Sequence, residues 1–263
     1  MTRTGPPAGG LAGHRVAGLP AGVSAWQTLR SGGGASGGAF GAADGRPALN
    51  VGEHVGDDPA AVAANRSAVA RALPGPVLWL QQMHGTGVAD ADVWPEDAVA
   101  PQGDAAVATR AGRVLAIQTA DCLPVLFADR RARAVAAAHA GWRGLQAGVL
   151  EATLGALRER GVSPGEVLAW LGPCIGPRAF EVGDEVREAF VTADPGAGRR
   201  FRPGPLEGKW FADLAGLASD RLRAAGVGTL RVDGRCTVAD PDCFSYRRDR
   251  VTGRMVSLLW RDG

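Results

Sequence analysis

No run of eighteen uninterrupted apolar residues occurs in this chain of 263 residues, which excludes an ordinary membrane-spanning helix. Residues 1–22 are rich in glycine, proline and alanine and carry Arg3, but they lack a continuous apolar stretch and do not read as a secretory signal. Lysine is almost missing. Lys209 is the only one, so the positive charge is arginine, and a formal net charge of +2 points to no nucleic-acid or membrane-surface partner. Four cysteines are too few for a disulfide framework at this size, and no C-x-x-C pair exists, which excludes a four-cysteine zinc ribbon. What remains is the composition of a globular protein, 46% hydrophobic with a mean hydropathy of −0.03. The cytoplasm is the expected location.

Against that background one stretch, Thr119 to Gly144, carries the chemistry. It reads T-A-D-C-L-P-V-L-F-A-D, a basic turn, then A-V-A-A-A-H-A-G-W-R-G. Residues 123–127 and 134–138 are strand-like, and the turn at residues 130–133 predicts a hairpin. A hairpin sets the start of its first strand beside the end of its second, so Cys122 and His139 become neighbours. Upstream, Q-Q-M-H-G at residues 81–85 closes another apolar run with His84. Singly, a buried cysteine is usually a small hydrophobe and a lone histidine a hydrogen-bonded core residue. Together, two imidazoles and a thiolate are three zinc ligands with a fourth position open, the arrangement of a catalytic site. The competing reading is a metal-free nucleophile pair of Cys122 with His139. Asp121, beside the cysteine, is placed to orient a ligand imidazole or to move protons. Arg143, one turn past His139 near a helix N-terminus, suits phosphate or another anion. Cys174 and Cys236 lack ligand-type neighbours and read as buried, Cys243 has no assigned role, and His14 and His54 read as surface residues.

Taken in order, residues 1–22 are expected to be a mobile tail, followed by a strand at 23–29 and a glycine-rich loop after Arg30. An acidic N-cap and Pro59 open a helix running to Leu73, and residues 76–82 form a strand leading to His84. Residues 105–109 and 113–119 read as a hairpin around Ala111-Gly112. Helices are expected at 144–160, 181–192 and 210–225, and strands at 166–171, 230–232, 236–238 and 255–260. No internal repeat or break in composition divides the chain. One α+β domain, residues 23–263, is expected, with mixed sheets flanked by helices.

Six motifs in order resemble the bacterial YfiH-like family, also called the polyphenol-oxidase or laccase-domain family and the peptidoglycan editing factors. They are Q-x-H-G at Gln82, A-D-C at Ala120, H-A-G-W-R-G at His139, G-P-x-I-G…F-E-V-G at residues 172–183, C-T at Cys236 and S-Y-R-R-D…T-G-R at residues 245–254. The family's arginine before two glycines matches Arg30, and its L-N-x-G matches Asn50; both are carried as substrate-binding candidates. The chain has Gly34-Ala35 where the family has V-S. The resemblance implies a single-domain mixed β-sandwich with helices outside and a zinc ion on His84, Cys122 and His139. It implies phosphorolysis of adenosine, inosine and methylthioadenosine, plus adenosine deamination, by a monomer or homodimer whose partners are purine nucleoside and phosphate. A rival implication is removal of L-serine from a UDP-muramoyl precursor. The name also implies copper, which can occupy a three-ligand site. A four-copper laccase needs many more than the four histidines present, usually in H-x-H pairs, and this chain has none.

Overall fold

Strands that are apolar on both faces need cover on both sides, and the chain between residues 105 and 140 is rich in them. The structure, a computed structural model describing residues 13–31, 33–96 and 98–263, supplies that cover by stacking layers. A five-stranded sheet runs in the order Gly13–Arg15 (β1), Val23–Thr28 (β2), Met255–Arg261 (β14), Val114–Thr119 (β6) and Val77–Leu78 (β3). A six-stranded sheet runs Thr229–Val232 (β13), Val167–Leu171 (β9), Leu123–Asp129 (β7), Val135–Ala140 (β8), Ala105–Ala108 (β5) and Val88–Asp90 (β4). Both sheets are mixed: β3 joins β6, β4 joins β5 and β13 joins β9 in parallel, and the remaining pairs are antiparallel.

The inner faces meet in one core, where Leu115, Ile117 and Leu259 pack with Ala106, Leu126, Val135 and Ala137. Alternation sends Leu123, Val125 and Phe127 to the opposite face of the six-stranded sheet. That face is covered by the helices Val149–Glu159 (α3) and Leu214–Ala224 (α5). Beyond the five-stranded sheet, helix Pro59–Arg71 (α1) adds Val69 to a cluster with Trp26, Leu49, Val114 and Val256. A small sheet of Glu181–Gly183 (β10), Lys209–Ala212 (β12) and Phe201–Pro203 (β11) sits with helix Asp184–Ala193 (α4). The short helices Trp142–Ala147 (α2) and Tyr246–Asp249 (α6) flank the site described below. This is a mixed α+β sandwich with helices outside. No helix among the described residues is long and apolar enough to cross a membrane.

Several local expectations hold and several do not. The β7–β8 hairpin forms with Pro124 opposite His139, and α1 begins where Asp58 accepts the N–H of Ala60, with Pro59 in its first turn. Residues 105–119 are not a hairpin. β5 pairs with β8 and β6 with β14, and the turn between them carries the chain from one sheet to the other. The expected helix at 144–160 begins earlier, at Trp142, and is broken at Gly148, whose φ is 101°. At 181 and 210 the chain enters β10 and β12 before α4 and α5 begin; Asp213 caps α5 by accepting the N–H of Gly216. Cys236 makes a single bridge to Cys174 where a strand was expected, and the strand at 76–82 shrinks to β3. Residues 13–15, within the expected tail, pair with β2, and Val16 is buried; residues 1–12 lie outside the described residues.

Candidate metal centre and its cavity

The three ligand candidates converge at one end of the sandwich, where the chain crosses between sheets. Cys122 lies in the crossover from β6 to β7, His84 in that from β3 to β4, and His139 near the end of β8. Their ligand atoms lie within 4.8 Å of one another, the one such group of three found among the described residues. Sγ of Cys122 is 3.7 Å from Nε2 of His84. The two imidazoles stand edge to face, with centroids 4.8 Å apart. Glycine keeps this space open: a Cβ on Gly141 would lie 2.8 Å from Cδ2 of His84 and 3.0 Å from Sγ of Cys122. A Cβ on Gly144 would lie 2.9 Å from the carbonyl oxygen of Gly85, so both glycines of H-A-G-W-R-G let α2 start against the His84 loop.

Asp104, buried just before β5, ties two of the ligands together. Its Oδ1 lies 2.8 Å from Nδ1 of His139 and accepts the main-chain N–H of His84 at 2.9 Å. Its Oδ2 accepts the N–H groups of Met83 at 3.0 Å and Gly85 at 2.6 Å. His139 in turn donates its own N–H to the Asp104 carbonyl at 2.6 Å. These bonds hold His84 at a φ of 60°, a left-handed conformation that a non-glycine residue adopts under strain. They also place the proton of His139 on Nδ1 and leave Nε2 as its ligand atom. Asp104 was missing from the sequence-based candidates. Its signal was an acid opening a wholly apolar strand, because a buried carboxylate requires partners.

Burial works against charge on both Cys122 and His139, but their mutual attraction outweighs it. Beside His139 and His84 the Cys122 thiol is pulled down to about 6. Beside Cys122 and Asp104 the His139 imidazole is raised to about 9. Burial likewise pushes the Asp104 carboxyl up, yet His139 and the N–H groups of Gly85 and Met83 hold it below the usual carboxylate range. The thiolate is the metal-binding form. Two imidazoles, a thiolate and a carboxylate fixing one ring fit a zinc ion with one position left for substrate. Next to the ligands is a cavity of about 250 Å³, further lined by His54, Gln82, Gln118, Thr119, Tyr246 and Arg254. Gln82 is fixed to β6, donating to the Gln118 carbonyl and accepting its N–H, both at 2.8 Å.

The family model described as multi-copper polyphenol oxidoreductase laccase matches residues 24–262. The purine nucleoside phosphorylase YfiH of Escherichia coli is 47% identical over 216 residues, 81% of this chain and 86% of that protein. The chain belongs to the YfiH-like family. A purine nucleoside phosphorylase of Pseudomonas aeruginosa is a YfiH-like relative at 49% identity over 242 residues, 92% of this chain and 94% of its own. The crystal structure of a Neisseria meningitidis protein matches with a TM-score of 0.88 at 45% identity, covering 95% of this chain and 99% of that one. YlmD from Geobacillus stearothermophilus matches with a TM-score of 0.82 at 31% identity, over 92% and 93% of the two chains. The multi-copper description does not fit this YfiH-like chain. Of its four histidines two join the cluster, and His14 instead faces Asp233 at 3.7 Å.

The other sequence-based candidates lie around the YfiH-like centre rather than in it. Arg30 is buried, donating to the Gly41 carbonyl at 2.7 Å and to Asp249 at 3.1 Å. Asn50 is buried and saturated, with Nδ2 on Asp57 and Oδ1 accepting the N–H groups of Gly52 and Arg254. Neither lines the cavity. Asp121, at a φ of 92°, accepts the Thr237 hydroxyl and the Arg247 N–H, each at 2.6 Å. These bonds tie it to the C-terminal segment, and the carboxylate against the His139 ring is that of Asp104. Arg143 is exposed, stacked 4.3 Å over Trp142, and lines a separate depression with Lys209 and Arg247. His54, expected on the surface, is exposed but reaches the cavity wall. Cys174 and Cys243 are buried, with burial pushing the Cys243 thiol up to about 12. Cys236, expected to be buried, is only half-buried and accepts the N–H of Gly176 at 3.2 Å.

Proposed function

We propose that the chain catalyses zinc-dependent phosphorolysis of purine nucleosides, namely adenosine, inosine and methylthioadenosine, and that the same centre deaminates adenosine. The observation that carries this reading is the convergence of His84, Cys122 and His139 on the wall of an amide-lined cavity. The names of the relatives at 49% and 47% identity point the same way. At about 250 Å³ the cavity sits just below the roughly 300–1,000 Å³ of small-ligand sites, which favours a nucleoside over a much larger UDP-muramoyl precursor.

His84, Cys122 and His139 would hold the zinc, which when bound supplies a Lewis-acidic centre with one position open to substrate. Asp104 keeps Nε2 of His139 directed at the ligand position throughout turnover. In phosphorolysis one phosphate oxygen bonds to the anomeric carbon as the carbon–nitrogen bond breaks. The electron pair leaves with the purine, which takes up a proton. The cavity walls would hold the base and pentose in line for this displacement.

The test is chromatography of purified protein incubated with inosine or adenosine and phosphate. Free base and ribose 1-phosphate are expected, with inosine also appearing from adenosine. No base in the presence of phosphate would overturn the reading. Serine release from UDP-muramoyl-serine, or oxygen uptake with a phenol, would replace it by one of the other family activities.

A further inference from the structure

Two sequence motifs, L-N-V-G at residues 49–52 and T-G-R at residues 252–254, interlock, and what they place is one arginine. Asn50 accepts the Arg254 N–H at 2.8 Å, and the Arg254 carbonyl accepts the Val51 N–H at 3.2 Å. A Cβ on Gly52 would lie 2.7 Å from Cγ of Arg254, so the arginine stem crosses a surface that only glycine leaves clear. A Cβ on Gly253 would lie 2.8 Å from Cβ of Asn50 and from the Phe244 ring, which closes the other side.

So placed, Arg254 lines the cavity beside the three metal-ligand candidates. Its Nη1 donates to the carbonyls of Thr252 at 3.2 Å and Gly253 at 3.0 Å. Among the described residues its Nε and Nη2 have no hydrogen-bond partner, and no carboxylate pairs with it. Neighbouring arginines are committed elsewhere. Arg66 pairs with Glu53 at 2.7 Å and stacks on Trp79, and Arg30 and Arg248 share Asp249. Burial depresses the Arg254 pKa, and the negative charges of Cys122 and Asp121 work the other way. A second group in the same wall also lacks a partner: Thr119 is 1% exposed, and its Oγ1 is buried without a hydrogen bond.

A guanidinium with a free donor edge, in the wall of one cavity together with an unpaired buried hydroxyl, matches an oxyanion. With a divalent ion on one thiolate and two neutral imidazoles the adjoining centre is itself net positive. Arg254, with no carboxylate in contact, is then answered most directly by an anionic ligand. We infer that Arg254, with the Thr119 hydroxyl, is the oxyanion-binding group of the cavity, and that the oxyanion is the phosphate co-substrate. The inference rests on the phosphorolysis reading and assigns its anion to Arg254, away from Arg143.

Inorganic phosphate titrated into the zinc-loaded protein without nucleoside, followed by calorimetry, tests it directly. Arg254→Gln should weaken phosphate binding roughly 10- to 100-fold, the loss of a charged hydrogen-bond pair. Arg254→Lys should recover part of this, because it keeps the charge without the fork. Thr119→Val should weaken binding less. Arg143→Gln should match wild type. In turnover, Arg254→Gln should raise half-saturating phosphate by a similar factor and leave that for inosine within about twofold. Melting temperature and zinc content certify that each variant is folded and loaded. Wild-type phosphate affinity in a folded Arg254→Gln protein, a loss seen in Arg143→Gln instead, or no phosphate binding by wild type would each overturn the inference. If wild type binds phosphate through Arg254 yet releases no base, the phosphorolysis reading fails while the oxyanion site stands.

Discussion

Gly141→Ala isolates the metal centre from the fold. The backbone there has φ −62° and ψ 155°, an extended conformation that alanine adopts without strain. In the unfolded chain the replacement removes conformational freedom, worth about 0.4–1 kcal/mol in favour of folding. The new Cβ, however, would stand 2.8 Å from Cδ2 of His84 and 3.0 Å from Sγ of Cys122. Comfortable carbon contacts begin near ~3.5 Å, so both side chains must retreat by about 0.5 Å or more. Metal–ligand distances tolerate only about 0.2 Å. His84 has little freedom to follow, because Asp104 pins its main chain. Zinc affinity should therefore fall roughly 10- to 100-fold, the usual range for disturbing a ligand's support. The metal-free melting temperature should hardly move. Competition against a chromophoric chelator measures the first quantity and a thermal melt the second. A zinc affinity within twofold of wild type would refute the reasoning, since it would mean that the ligand atoms do not meet at the point Gly141 leaves open.

Asp104→Asn turns an amide N–H₂ toward either the Nδ1–H of His139 or the Met83 and Gly85 N–H groups, a donor facing a donor. It should weaken zinc roughly 10- to 100-fold, cost about 1–3 kcal/mol in a urea melt of the metal-free protein, and lower the His139 pKa seen by NMR; no change in any of these would contradict it. Zinc binding must displace the proton that His139 keeps up to about 9, whereas the Cys122 thiol is already ionised above about 6. Affinity should therefore rise about tenfold per pH unit between those limits, one proton being released per metal, and pH-independent binding would count against the thiolate–imidazolium pair. Asn50→Ala breaks bonds to Asp57, Gly52 and Arg254. It should lower stability by about 1–3 kcal/mol and weaken phosphate binding through Arg254. Lost nucleoside binding at unchanged stability would instead point to direct contact by Asn50.

How much of this was legible beforehand follows from how local each feature is. Cys122 and His139 were legible because a hairpin sets the start of its first strand beside the end of its second, and Pro124 does face His139. His84 could be read because it closes an apolar run at a glycine, as the other two candidates sit at strand ends. The sheet assignment of β5 and β6 was not legible. Both are buried on both faces, so no alternation tells a hairpin from a corner between sheets. Asp104 and Arg254 escaped for another reason. Asp104 acts on residues about twenty and thirty-five positions away, and Arg254 is placed by residues two hundred positions back. Asp121 stands beside a ligand in the sequence, but the sharp turn there, at a φ of 92°, sends its carboxylate to Thr237 and Arg247, a direction no local pattern gives.

The most direct test of the account compares wild type with His84→Ala for metal content by mass spectrometry and for phosphate-dependent base release from inosine. His84 is essential only if it is a ligand, since a Cys122–His139 nucleophile pair would work without it. The account predicts about one zinc per wild-type chain, a large loss of zinc in His84→Ala, and a loss of turnover in step. Wild-type turnover in His84→Ala with its metal content unchanged would contradict it.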